Sequence, residues 1–196
     1  MRRRLSAALL VLLCAPIPQA SADWFITPFL GTSFGADTTA LIFEASGQKL
    51  TLGASVALIG PGLLGVELDV GHTPGFFQGD DPEGLVLTSR VTTVGGNVII
   101  AAPLALTRES LRPYVVGGVG LIQARSQNAA GLFPVDQDLA GLTLGAGALG
   151  MVSERTGLRF DIRHIKAVAG AKGPFERPGA SRVRFWRATA GVTIRY

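Results

Sequence analysis

Hydrophobic and polar residues alternate along most of this chain. From Lys49 to Ile59 (KLTLGASVALI), Leu50, Leu52, Ala54, Val56 and Leu58 fall on one side, with Lys49, Thr51, Gly53 and Ser55 on the other. Leu63–Thr73 sets Leu64, Val66, Leu68 and Val70 against Gly65, Glu67, Asp69, Gly71 and Thr73. Ala140–Val152 sets Leu142, Leu144, Ala146 and Ala148 against Thr143, Gly145 and Gly147, and Leu158–Ala167 sets Leu158, Phe160 and Ile162 against Arg159, Asp161 and Arg163. The last run, Arg182–Tyr196, sets Trp186, Ala188, Ala190, Val192, Ile194 and Tyr196 against Arg187, Thr189, Gly191, Thr193 and Arg195. Successive side chains of a strand point to opposite faces, so a sustained period of two predicts strands with one apolar face.

Three further segments are less regular. Trp24–Phe34 contains Pro28, which has no amide to give a ladder. Leu85–Ala101 loses phase near Arg90, which predicts a bulge there. Arg112–Arg125 carries Gly117, Gly118 and Gly120. The total is eight strands, mostly of 10 to 15 residues, where about 9–11 tilted residues cross a bilayer core. The connectors differ in length. Segments 35–48, 74–84, 126–139 and 168–181 are long and polar, 60–62 and 153–157 are short, and 102–110 is intermediate. Long loops at one end, shorter turns at the other and an even strand count predict an all-β fold, an eight-stranded antiparallel up-and-down transmembrane barrel with its apolar face outward.

Composition supports that inversion of inside and outside. The chain is 47% hydrophobic and 16% charged, below the roughly 25% charge of a soluble domain. Yet it has no apolar run of the roughly 18 residues that a spanning helix needs. Disorder is excluded and a charged-surface enzyme is disfavoured.

The N-terminus carries a separate message. Arg2–Arg4, the apolar stretch Leu5–Ala15 and the small-residue site Ala20-Ser21-Ala22 predict a cleaved secretory signal over residues 1–22, with the barrel domain over 23–196. Cys14 is preceded by Leu13 where lipid attachment needs a small residue, so no lipoprotein is expected. Cleavage would remove the only cysteine and three arginines, leaving 15 basic against 14 acidic residues. The mature chain then has no thiol chemistry, and its charge does not point to nucleic acid.

The closing residues TAGVTIRY place Thr189, Gly191, Ile194 and Tyr196 in a polar-x-Gly-x-x-hydrophobic-x-aromatic pattern. With GVELDVGHTPGFF (65–77), RPYVVGGVG (112–120) and GLRFDIRH (157–164), the chain resembles the small outer-membrane β-barrel family that includes the OmpA membrane domain and OmpX. The resemblance covers Asp23–Tyr196. It implies a cell outer-membrane location in a Gram-negative envelope, outer-membrane lipids as surroundings, the barrel assembly machinery as partner to the C-terminal signal, and a monomer. It names no surface ligand, and no peptidoglycan-binding domain is expected after the barrel.

Candidate chemistry is sparse. Gly145–Gly150 matches G-x-G-x-x-G, but a dinucleotide loop opens a helix, and these glycines lie inside an alternating strand. His72 and His164 fall on the outward face, without the His-x-Ser spacing of lipid deacylases and without a metal-ligand set. Neither catalytic residues nor a cofactor nor a metal is expected. Inward charges are the informative feature: Lys49, Glu67, Asp69, Arg159, Asp161, Arg163, Arg187 and Arg195 all point into the lumen on the assigned phase. The interior of an eight-stranded barrel is just wide enough for side chains to fill, and buried charges must pair. Glu67 and Asp69 are expected to approach Arg163 or Arg187 at mid-depth. Aromatic residues are expected in two interfacial girdles: Trp24, Tyr114, Phe160 and Tyr196 towards the turns, and Phe34, Phe76, Phe77, Phe185 and Trp186 towards the loops. The leading functional expectation is a non-enzymatic barrel, plugged by paired charges, that serves envelope integrity or surface interaction through four extracellular loops. A narrow channel of porin type for small or apolar solutes is the alternative, and a lipid-modifying enzyme a weaker third.

Overall fold

The computed structural model describes residues 22–38, 47–76, 86–107, 111–128, 135–170 and 183–196. Strands β1 (Asp23–Thr38), β2 (Lys49–Ile59), β3 (Leu64–Pro74), β4 (Val86–Ala101), β5 (Arg112–Asn128), β6 (Val135–Met151), β7 (Thr156–Gly170) and β8 (Val183–Arg195) form one closed barrel in chain order. Every neighbouring pair is antiparallel, including β8 back to β1. A short helix, α1 (Leu104–Thr107), sits in the β4–β5 connection. The expected cleavage site before Asp23 and Phe77 involve residues outside those described, although β1 itself begins at Asp23.

The faces follow the sequence alternation. On β3, Gly65, Glu67, Asp69, Gly71 and Thr73 are buried, while Leu64, Val66, Leu68 and Val70 are exposed. Exposed leucines, valines and isoleucines continue round the whole outer wall. Water would penalise such a wall by roughly 25 cal/mol per Å² of apolar surface, whereas lipid would not.

Several strands extend beyond the alternating runs at the loop end: β5 reaches Asn128 and β6 starts at Val135. Outward positions there turn polar, at Arg125 and Asp138, so the apolar signal stops while the backbone ladder continues. The bulge expected near Arg90 is elsewhere. Arg90 pairs in register with Pro74 and Arg125, and the β4–β5 irregularity falls between Val86 and Thr88. Val91 is apolar yet points inward, which imitates a change of phase. A second register shift, between Phe34 and Asp37 on the β8 side of β1, contains Gly35 at φ 60°. That left-handed conformation suits glycine at a bulge.

The aromatic girdles also need correction. Trp24, Phe160, Trp186 and Tyr196 are exposed on the outer wall, and Phe34 pairs beside Trp186. Tyr114, Phe76 and Phe185 are instead buried inside, because each lies on the inward parity of its strand or just past the strand end.

Candidate functional site

The lumen is filled in three layers. At the turn end, Phe25, Ala57, Ile59, Ile99, Ala101, Tyr114, Val116 and Leu149 form an apolar cluster. At the loop end, Phe76, Val91, Ile122, Ala124, Leu139, Ile165, Ala167, Val183 and Phe185 form another. Inward residues of β4 pass through all three, from Ala101 and Ile99, past Asn97 and Thr93, to Val91.

The middle layer is ionic. Arg159 Nη1 lies 2.7 Å from Glu67 Oε1, and Arg163 Nη2 lies 3.0 Å from Glu67 Oε2. Arg163 also grips Asp161, its same-face neighbour on β7, through Nε at 2.9 Å and Nη2 at 2.8 Å. Arg187 Nη2 donates to Asp69 Oδ1 at 2.6 Å, and Arg163 Nη1 stands 3.7 Å from Asp69 Oδ2. Three guanidinium groups thus face three carboxylates, and the layer is neutral as a unit. Bidentate arginine–carboxylate pairing is the strong form of such contacts. Polar neighbours add to it: Thr189 Oγ1 donates to Asp161 at 3.2 Å, Asn97 Nδ2 to Glu67 at 3.4 Å, and Arg187 Nη1 to Thr93 Oγ1 at 3.2 Å.

Of the eight inward charges named from the sequence, six meet here: Glu67, Asp69, Arg159, Asp161, Arg163 and Arg187. The other two stand at opposite rims. Lys49 opens β2 at the loop end, while Arg195 closes β8 at the turn end, 3.8 Å from Asp23.

Tyr114 is a member that sequence reasoning missed. Its hydroxyl accepts from Arg159 Nε at 2.7 Å and donates to Asp161 Oδ2 at 3.0 Å, and the Arg159 guanidinium lies over its ring at 4.8 Å. It joins the ionic layer to the apolar one below. The apolar layers were missed as well, yet they left a signal. Doublets such as Ile99–Ile100, Val115–Val116 and Leu121–Ile122 put one apolar residue in the wall and the next in the lumen. The glycines of the G-x-G-x-x-G match make room for the layer. A Cβ at Gly145 would come within 2.9 Å of Arg163 Cγ, and one at Gly147 would strike the Tyr114 hydroxyl.

Both histidines lie on the outer face. His72 Nδ1 hydrogen-bonds Thr92 Oγ1 at 2.9 Å, and His164 lies against the Trp186 ring at 4.9 Å. The His72–Thr92 contact satisfies two polar side chains on an apolar wall. Among the described residues there is no metal-ligand cluster.

The residues of the expected assembly signal lie at the barrel seam. Thr189 and Gly191 pair with Gly31 and Phe29 of β1, Ile194 faces outward beside Ile26, and Tyr196 exchanges backbone hydrogen bonds with Trp24 at 2.9 and 3.2 Å.

Comparison of the whole fold points one way. Neisserial surface protein A superposes with a TM-score of 0.64 at 13% identity, covering 88% of this chain and 97% of that one. The outer membrane protein OprG from Pseudomonas aeruginosa gives 0.62 at 15% identity, covering 90% and 97%. This is the fold of the small outer-membrane barrels. Ail, the attachment invasion locus protein of Yersinia pestis, solved with the heparin analogue sucrose octasulfate, gives 0.54 at 12% identity, covering 89% and 99%. At these identities the likeness concerns the fold. No family model matches the chain, and no curated protein matches its sequence.

Proposed function

We propose that the mature chain is a monomeric, non-enzymatic barrel of the cell outer membrane, delivered by a cleaved signal and inserted by the barrel assembly machinery. Its role is in envelope integrity or surface interaction through the four connections at the loop end. One observation carries this reading: among the described residues, a neutral ionic layer lies between two apolar ones across the lumen, an arrangement that disfavours passage of solute. An ion entering it would have to displace an apolar cluster and then break charge pairs, at several kcal/mol each. Work is therefore assigned to the outer wall and the loops. The adhesion-related name of Ail agrees with that assignment.

Planar-bilayer recording of the refolded protein tests it. The expected trace carries no discrete conductance steps. Regular steps would replace this reading by the narrow channel. A strain lacking the protein is expected to become more sensitive to detergent or to lose surface attachment, with its lipid A masses unchanged. An altered lipid A mass would favour a lipid-modifying enzyme.

A further inference from the structure

Two stretches at the turn end of the barrel are apolar for a surface that would face water, although Arg108 and Glu109 follow the second one in the chain. Residues 60–63 (GPGL) and 102–107 (APLALT) contain no charged side chain. They are also firmly held. Leu104 N donates to Pro61 O at 3.1 Å, Ala101 N to Leu63 O at 2.7 Å and Ala102 N to Pro113 O at 2.9 Å. Arg112, itself buried, binds both segments at once, donating from Nε to Ala102 O at 2.7 Å and from Nη2 to Gly60 O at 2.9 Å and Gly62 O at 2.5 Å.

This scaffold fixes α1 across the turn end with its leucines divided. Leu104 turns inward and lines the cavity beside Phe25, Ile59 and Leu149. Leu106 is 80% exposed, and Leu63 and Leu111 are more than half exposed. Ordering an aliphatic side chain in water brings no burial in return. A segment tied down in this way, with no charged side chain and with Leu106 and Leu63 turned outward, fits an apolar surface outside the protein. The surface is continuous with the lipid-facing wall: Leu63 runs directly into Leu64 and Val66 of β3, and Ile100 pairs beside Leu64 on the same exposed wall.

We infer that the face formed by residues 60–63 and 102–107 is seated in the headgroup–acyl boundary of the inner phospholipid leaflet. It acts as an in-plane anchor that sets the depth of the barrel. Apolar side chains on a surface segment bind that boundary more strongly the more apolar area they bury in it. The β6–β7 turn offers a contrast within the same rim, since Ser153, Glu154 and Arg155 are exposed and polar. The inference rests on the membrane-barrel reading, and its test separates the two.

Single cysteines at Leu106, Ser153 and Leu68 would carry an environment-sensitive fluorophore in the full barrel, reconstituted in phosphatidylethanolamine–phosphatidylglycerol vesicles. Nitroxide lipids would quench from inside the bilayer, and acrylamide on both sides from water. At Leu106, we expect blue-shifted emission, strong quenching by shallow nitroxides and acrylamide quenching several-fold weaker than at Ser153. Leu68, in the middle of the wall, should respond to deep nitroxides. Equal acrylamide quenching at Leu106 and Ser153, with Leu68 still quenched from within, would overturn the anchor and leave the barrel reading intact. Protection of Leu106 that appears only on adding periplasmic extract would also overturn it, in favour of a protein partner. Loss of deep quenching at Leu68 would instead sink the membrane-barrel reading. Leu106→Asp, which leaves the strands untouched, should shift a probe at Leu64 to shallower depth; an unchanged depth would count against the anchor.

Discussion

Glu67 is 3% exposed and holds two guanidinium groups, Arg159 at 2.7 Å and Arg163 at 3.0 Å. Its removal leaves positive charge without its anion in a buried layer. Breaking a buried pair from one side costs about 3–5 kcal/mol, so Glu67→Gln and Arg163→Met should each lower barrel stability by about that much in detergent unfolding experiments. The double variant should lose less than the sum, because the orphan charge is gone. Strict additivity would mean that the two side chains do not interact. Tyr114→Phe removes a hydroxyl that accepts from Arg159 and donates to Asp161. Hydrogen bonds to charged groups contribute about 1.5–3 kcal/mol, and a loss of that order is expected in the same assay. Gly147→Val should strike both that hydroxyl and the Phe160 backbone carbonyl and cost more than Tyr114→Phe, whereas Gly62→Ala, with open space around its Cβ, should cost little.

Among the elements, β1 and β8 carry the closing seam. Their register has the same offset at Ile26–Ile194 and at Phe29–Gly191, stepping over Thr27 and Pro28. Inside the barrel, the Thr27 and Thr193 hydroxyls hydrogen-bond at 2.8 Å and span that step. This contact explains how a strand tolerates Pro28 without slipping. Thr27→Val should therefore speed amide hydrogen exchange along β1 and β8 while leaving β3–β4 unchanged. Equal protection in both regions would show that the hydroxyl pair contributes nothing to the seam. Tyr196 closes the same seam through two backbone hydrogen bonds to Trp24. Deleting it is expected to reduce the yield of assembled barrel in cells, and a normal yield would remove the assembly-signal role from Thr189, Gly191, Ile194 and Tyr196.

At the scale of the whole molecule, a closed sheet has no free edge, and its outer wall suits lipid rather than water. The unheated protein should run on detergent gels at a different apparent size from the boiled one, and it should fractionate with outer membranes. Identical mobilities, or recovery as a soluble periplasmic protein, would contradict the proposed location.

The sequence alone determined the strand count and the parity of the five regularly alternating strands, because a period of two is a local property that needs no partner. Leu64 and Glu67 declare opposite sides of β3 whatever lies across the barrel. It did not determine strand ends: Arg125 and Asp138 end the apolar pattern, while the ladder that carries β5 and β6 onward is made between strands. Nor could it separate an apolar residue of the wall from one of the lumen where two stand together, as at Ile99–Ile100. Only closure of the barrel decided that Phe76 and Phe185, far apart in the chain, meet at 5.1 Å inside it. The same closure brings Glu67 of β3 across the lumen to Arg159 and Arg163 of β7 and sets the Tyr114 hydroxyl between Arg159 and Asp161. Those contacts run across the lumen, where position depends on strand tilt and register summed round all eight strands, and no local pattern records that sum.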